Sequence, residues 1–409
     1  MEVQKYLKEN GLDSLVNEFK IKVNDYPDRV VLNYDQIESP RFNPIVDECR
    51  ALILRKERWE VMARSFNRFY NMGEGVQQSK DGTNMQRIVR GINNECFFDY
   101  HVQQFPFEDC RIENKLDGSL LTLYHDGDKW CVSTRKMAFA EGTTETGQQF
   151  AEIFWGVAKQ YDLLSKLFDN PTYKNYSLVF ELTGPANRIV TPYDKPDITL
   201  IGVRDLKDLH TREFNGDELN NIALELELNR PGTIHINDAE GLKYFVEHLP
   251  SMDEGVVLVC ESKISSHWRL KLKNSKFVAI ANMRANGNIS PKRILKLVME
   301  NDHHEYKKYF PEDTKYFDLV EKEYNDTIER IEGIYKKYSS IESQKDFALS
   351  IIPETKYSFE KGVLFSARKN GTDIREEIKN REPKSLSESM NLKSLFVKFF
   401  NISLENEEE

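Results

Sequence analysis

Lys115 stands in the run Lys115-Leu116-Asp117-Gly118. A lysine amine becomes a nucleophile once it loses its proton, and burial or nearby cations lower its pKa from an ordinary value of about 10.4. Four residues alone are a weak signal, because most such runs are a surface lysine beside a turn. Other positions supply what a lysine nucleophile would need. Arg50 closes Glu48-Cys49-Arg50 before an apolar run, and Glu181 lies inside the apolar SLVFELT (177–183). A carboxylate buried in such a strand needs a partner. Glu254-Gly255 opens GVVLVC, and Lys271 and Lys273 alternate with Leu270 and Leu272 in WRLKLK. Period-two alternation puts both lysines on one face of a strand. Singly, each has a plain reading: a solvated sheet face for the lysines, a buried salt bridge or strand-end cap for the glutamates.

One chemistry uses all of these residues, the transfer of a nucleotide onto a lysine. Lys271 and Lys273 would depress the pKa of the attacking amine and neutralise charge on an α-phosphate as pyrophosphate leaves. One carboxylate would read ribose hydroxyls. Another would help hold hydrated Mg²⁺, which takes oxygen ligands and keeps several waters.

The order Lys-x-Asp-Gly, Phe-Glu, Glu-Gly, Lys-x-Lys resembles that of the covalent nucleotidyltransferases: DNA ligases, RNA ligases and capping enzymes. The finer similarity is to the bacteriophage RNA ligase 1 family. It rests on Glu48-Cys49-Arg50, on the block 64–71 (RSFNRFYN), on the block 180–190 (FELTGPANRIV) and on the strand ending Val203-Arg204. It spans residues 30–280 strongly and extends weakly to about 370. The resemblance implies that Lys115 is the adenylated lysine, with Asp117 and Gly118 completing its motif. It implies that Arg50 and Glu181 bind the nucleotide ribose, that Glu254 serves the metal and the reacting lysine, and that Lys271 and Lys273 contact the α-phosphate. Arg68 and Arg135 stand where the family has phosphate-contacting basic residues, and Tyr34 is near a family tyrosine. Arginine differs from lysine in geometry, so those two roles are looser. Phe277 replaces a family tyrosine and loses its hydroxyl. Asp302, in Asp302-His303-His304-Glu305, is nearest to the family's metal-linked aspartate; its plain reading is a cap on the preceding helix.

The implied reaction has three steps. Lys115 takes AMP from ATP, AMP passes to an RNA 5′-phosphate, and an RNA 3′-OH displaces it. ATP and Mg²⁺, or Mn²⁺, are the implied cofactors. RNA is the implied partner, as single-stranded ends and in particular a tRNA broken in its anticodon loop. No obligate protein partner is expected. No GxxxxGK[ST] run is present, so a 5′-kinase that heals ends is expected to be separate.

The elements that must position these residues are legible from periodicity. Residues 1–25 read as a helix, and 29–35, 47–55 and 59–66 as strands, the last two hairpin-like. Asp-Gly between two apolar runs in 110–135 predicts a hairpin, with Lys115 at the start of a strand pair. Residues 145–168 read as a helix. Strands follow at 177–183, 198–205, 255–260 and 268–273, with one or two short helices in 214–249. Beyond about 280 the pattern is helical: 291–301, a long amphipathic run through Phe317, Tyr324, Ile331 and Tyr338, and stretches near 343–351 and 356–368. The fold class is therefore α+β: a nucleotidyltransferase core of antiparallel sheets with flanking helices over 1–280, and an all-α domain over 281–409 that the resemblance makes the RNA-specificity domain.

A chain of 409 residues is long for one core and fits two domains. Hydrophobic residues make up 39% and charged ones 30%, an ordinary globular balance. No apolar run of about 18 residues predicts a membrane helix, and the polar N-terminus lacks a secretory core, so a cytoplasmic protein is expected, in the host cell if phage-encoded. Five cysteines without a CxxC pair predict neither a disulfide framework nor a zinc site. The net charge of −10 disfavours a general nucleic-acid binder while leaving room for a local basic site. The rival readings are a non-catalytic RNA-binding protein on a ligase scaffold, a DNA ligase or capping enzyme, and a small-molecule adenylating enzyme. The second would carry an oligonucleotide-binding barrel after Lys273, where the pattern is helical instead.

Overall fold

The computed structural model describes residues 1–72, 86–90, 96–100, 103–107, 110–144, 146–208, 210–261, 267–284, 290–301 and 303–400. The chain divides into two compact units, Met1–Val278 and Ala279–Glu409.

Unit 1 opens with helix α1 (Glu2–Phe19) and strands β1 (Ile21–Asp25) and β2 (Arg29–Tyr34). The helix expected over 1–25 stops early because Lys20 takes a left-handed conformation, and the chain turns into β1. Helix α2 (Pro44–Glu48) precedes β3 (Leu52–Arg55), β4 (Val61–Ala63) and β5 (Tyr70–Asn71). The strand expected over 47–55 is thus confined to its second half. Asn43 accepts from the Ile45 and Val46 amides and Pro44 sits at the first helical position, so the local sequence nucleates a helix instead.

Strands β6 (Gln86–Arg90), β7 (Cys96–Tyr100) and β8 (Gln103–Pro106) form an antiparallel sheet. Next come β9 (Cys110–Asn114), β10 (Ser119–His125) and β11 (Trp130–Thr134), the last two joined as the Asp-Gly hairpin. The helix expected over 145–168 is two, α3 (Phe150–Gln160) and α4 (Leu163–Asp169), broken at left-handed Asp162. The unit continues with β12 (Tyr176–Thr183), β13 (Asp197–Asp205), α5 (Gly216–Leu226), β14 (Thr233–Ile234), α6 (Ala239–Glu247), β15 (Gly255–Cys260), β16 (Trp268–Lys273) and α7 (Ser275–Arg284), which crosses the unit boundary.

Two sheets carry the chemistry. One has the order β11-β10-β12-β13 and the other β14-β9-β15-β16-β5, antiparallel except for β16 with β5. Lys115 lies in the short link where the chain leaves the second sheet at β9 and enters the first at β10. Alternation decides what faces where. Leu178, Phe180 and Leu182 of β12 join Leu121 and Leu123 of β10 in a core covered by α3, α4 and α5. Val179 packs on the opposite side with Ala51, Phe66 and Leu120, and Glu181 shares that face. Hydrophobic burial thus fixes the register that turns Glu181 away from the main core.

The chain contains a disulfide where none was expected. Cys110 and Cys260 are register partners at one end of β9 and β15, and they are bonded. Sequence spacing hides the pair because 150 residues separate them, while the pairing of two strands sets them side by side.

Unit 2 is helical among its described residues: α8 (Pro291–Glu300), α9 (His303–Tyr309), α10 (Thr314–Tyr338), α11 (Gln344–Ile351), α12 (Ser358–Asn370), α13 (Ile374–Lys379), α14 (Pro383–Ser389) and α15 (Leu392–Phe400). α9, α13, α14 and α15 had no counterpart in the sequence reading, each being short. No described helix is long and apolar enough to cross a membrane. Asp302 and the acidic tail at 404–409 lie outside the described residues.

Candidate active site

Unit 1 holds a cavity of about 280 Å³ whose wall includes Tyr34, Arg50, Lys115, Gly118, Arg135, Glu181, Lys271 and Lys273. These residues come from β2, the segment before β3, the β9–β10 link, the end of β11, and β12 and β16. Arg269 completes the basic set, so Arg50, Lys115, Arg135, Arg269, Lys271 and Lys273 face a wall whose acids are Glu113 and Glu181. Glu113 is already matched by Arg111 and Arg230, each at 2.8 Å. A chain of net charge −10 therefore concentrates basic groups on this one wall.

Lys115 Nζ donates to Glu254 Oε2 at 2.6 Å, and Lys273 Nζ lies 2.7 Å from Glu254 Oε1. One carboxylate thus bridges the two amines. Its place is set by a local scaffold. The Lys115 amide donates to the Gly255 carbonyl at 2.9 Å, and the Asn274 amide donates to that of Glu254 at 2.9 Å. The Asn274 side chain, fully buried, donates to the carbonyls of Pro250 at 2.8 Å and Asp253 at 3.2 Å. Gly255 has φ +135°, and a Cβ there would collide with the Leu272 carbonyl, which explains the glycine after Glu254.

Asp117 does not line the cavity. Its Oδ2 accepts the amides of Val190 at 2.7 Å and Thr191 at 2.8 Å, and burial raises its pKa. Thr191 in turn donates its hydroxyl to the Met252 carbonyl at 2.7 Å. Asp117 therefore ties the segment after Lys115 to the turn before Glu254, a positioning role. Gly118 passes so close to β12 that a Cβ would meet the Leu182 carbonyl. Asn187, inside the 180–190 block, accepts from Ser119 at 2.9 Å and donates to the Leu182 carbonyl at 2.7 Å.

Glu181 has its pKa pushed up to about 7, first by burial, with Glu254 adding to it and Lys115 and Arg50 opposing it. The Arg50 guanidinium sits 4.9 Å from the Phe69 ring centre, and burial lowers its pKa to about 10. Its Nη1 is buried without a hydrogen-bond partner, as is Nε of Arg135. Buried guanidinium donors left open beside a cavity suit an anionic or hydroxyl-bearing ligand.

Arg68 is not on the wall. It is buried, 4.2 Å from the Tyr34 ring centre and 5.1 Å from that of Tyr70, and donates to the Ser39 carbonyl at 3.4 Å. It supports Tyr34 from behind. Phe277 is buried in α7.

The sequence reading overlooked Arg269, Phe66, Phe69 and Asn274. Arg269 carries the same alternation as Lys271 and Lys273 one step back, so that signal was present. It lies 3.8 Å from the Phe66 ring centre and pairs with Glu213, which also binds fully buried Arg204 at 3.1 Å. Arg204 further donates to the carbonyls of Ser65 and, at 2.9 Å, Thr211. The blocks 64–71 and 203–204 are thus the buried polar support of the cavity floor.

Comparison with known proteins finds relatives over much of the chain. A family model described as RNA ligase matches residues 48–277. A protein of Autographa californica nuclear polyhedrosis virus, described as a bifunctional polynucleotide kinase/RNA ligase, is 27% identical over 76% of this chain. The chain spans 42% of that relative's length. An RNA ligase of Rhodothermus phage RM378 is 26% identical over 85% of this chain and 86% of its own. The RNA ligase of Naegleria gruberi, solved with PPi, covers 64% of this chain and 97% of its own at 12% identity and a TM-score of 0.35.

Proposed function

We propose that this chain, which belongs to the bacteriophage RNA ligase 1 family, is an ATP-dependent RNA ligase that works through a lysyl-AMP on Lys115. The observation that carries the reading is the Lys115–Glu254–Lys273 bridge beside a cavity rich in cations.

The residues fit the chemistry in order. Glu254 fixes the Lys115 amine and is the group within reach of its proton. An α-phosphate approaching Lys115 would draw Lys273 and Lys271 onto its oxygens, stabilising the charge that develops as pyrophosphate leaves. The open donors of Arg50 and Arg135 would receive ribose or phosphate oxygens, and ionised Glu181 would accept a ribose hydroxyl. Tyr34, buttressed by Arg68 and Arg135, offers an aromatic face on the same wall. Glu254 is the carboxylate that would help hold a hydrated divalent cation, Mg²⁺ or Mn²⁺, with Asp302 the other residue the resemblance assigns to it. When bound, it would supply counter-charge to the phosphates. AMP then passes to an RNA 5′-phosphate, and an RNA 3′-OH displaces it to close the strand.

The helical unit is the proposed RNA-selecting part, with a broken tRNA anticodon loop as the proposed target, in the cytoplasm of a host cell. Sealing of a 5′-labelled RNA with a 3′-OH end, run beside the same sequence as DNA, tests the substrate. The reading predicts closure and a transient adenylated 5′ end on RNA. Equal sealing of DNA would overturn the RNA assignment.

A further inference from the structure

Two histidines at the start of α9 have no part in the reaction above. His303 is 3% exposed, and neither of its ring nitrogens makes a hydrogen bond. A neutral imidazole carries one donor and one acceptor, and burying both without partners is costly. Its Nε2 nevertheless lies 3.2 Å from Glu321 Oε1 on α10. The His304 ring is tilted against His303, centres 3.9 Å apart. One ligand atom from each of His303, His304 and Glu321 falls within 4.8 Å of the others.

The surroundings hold these groups still. Glu321 Oε2 accepts from Lys307 Nζ at 2.7 Å, and Lys307 also meets Asp318 at 2.8 Å. That leaves Oε1 turned to the histidines. The corner between α9 and α10 is packed by Tyr306, whose ring lies 4.7 Å from Phe310 and Phe317 and whose hydroxyl donates to Asp313 at 2.6 Å. A partner that fixes a ligating carboxylate is the usual outer shell of a metal site.

We propose that His303, His304 and Glu321 bind a first-row transition-metal cation of the zinc class. Two imidazoles and one carboxylate are the donors such ions take, whereas Mg²⁺ prefers oxygen alone. Three protein ligands would leave a fourth position for water, beside exposed His304. The ion would fasten the first turn of α9 to α10 and stiffen the helical unit. The site adjoins Asp302 in sequence, the residue the ligase reading assigns to Mg²⁺, but its donors are different side chains, so failure of either leaves the other standing.

The test uses the full chain stripped with a chelator and dialysed against Zn²⁺ in the presence of excess Mg²⁺, with bound zinc counted by elemental analysis. His304→Ala and Glu321→Gln are the variants, since both residues reach the surface and His303 is buried. One equivalent of zinc in the parent, a Tm raised by zinc, and affinity weakened more than about 10-fold in both variants is the expected result. Cobalt in place of zinc should give a tetrahedral visible spectrum that both variants lose. No stoichiometric zinc in the parent, or zinc held equally by both variants, overturns the proposal.

Discussion

Lys115 and Glu254 are 139 residues apart in sequence and 2.6 Å apart at Nζ and Oε2. Because the other oxygen of Glu254 holds Lys273, one side chain sets the nucleophile and the phosphate-binding cation together. Glu254→Gln keeps the size but replaces one acceptor by a donor that opposes two ammonium groups. Lysyl-AMP formation should fall about 10²–10³-fold, the cost of losing one electrostatic contact to the reacting centre. The loss should appear in the rate of adduct formation more than in the apparent affinity for ATP. An unchanged single-turnover rate would remove Glu254 from the reaction.

Glu181 gives the site a pH dependence. Its folded pKa is about 7 against an ordinary 4.5, so it accepts a ribose hydroxyl fully only above neutrality. Adenylation should rise with pH through a midpoint near 7, and Glu181→Gln should flatten that limb. Stability runs the other way. The native state holds this proton more tightly than the unfolded state does. Native stability through this group is therefore complete below pH 4.5 and is lost as pH rises to about 7. The loss amounts to about 3 kcal/mol. Denaturant titrations at pH 5 and pH 8 should show Glu181→Gln gaining on the parent at the higher pH.

Gly118 is a question of space. A methyl group there would strike the Leu182 carbonyl, a backbone atom that cannot swing aside. Gly118→Ala should lower stability by about 1–3 kcal/mol and displace the β10–β12 pairing next to Lys115. Urea unfolding measures the first effect and the adduct rate the second. A variant of parental stability would show that β12 can yield.

What the sequence disclosed about the site follows a physical rule. Lys271 and Lys273 were legible because strand alternation is local, and Glu181 because a carboxylate in an apolar run demands a reason. The resemblance tied Glu254 to the reacting lysine, but its second contact, to Lys273, was not legible, since it is made by pairing β15 with β16. Asp117 was read as catalytic by its place in the motif, yet the structure spends its carboxylate on the amides of Val190 and Thr191. Arg68 likewise has the right charge but is enclosed by Tyr34 and Tyr70. Cys110 and Cys260 show the same limit, because a link across 150 residues has no local signature.

Beneath the cavity, Glu213 is fully buried between Arg204 and Arg269, which hold its carboxyl well below the usual range. Removing the one acid takes a shared ion-pair partner from two buried guanidinium groups. Glu213→Gln should cost about 3–5 kcal/mol and release Arg269 from its stack on Phe66. Thermal unfolding with a paired measurement of ATP affinity would register both. A loss under 1 kcal/mol would mean that water reaches these arginines and that the floor is not dry.

The most direct test of the central claim is covalent labelling. The purified protein is incubated with a divalent metal and ATP labelled at the α-phosphate, then denatured and separated, with Lys115→Ala and labelled GTP alongside. Label on the parent from ATP alone, released by acid as a phosphoamide should be and absent from Lys115→Ala, is the predicted result. Label retained by Lys115→Ala, or a well-folded, AMP-free parent that takes none, would contradict it.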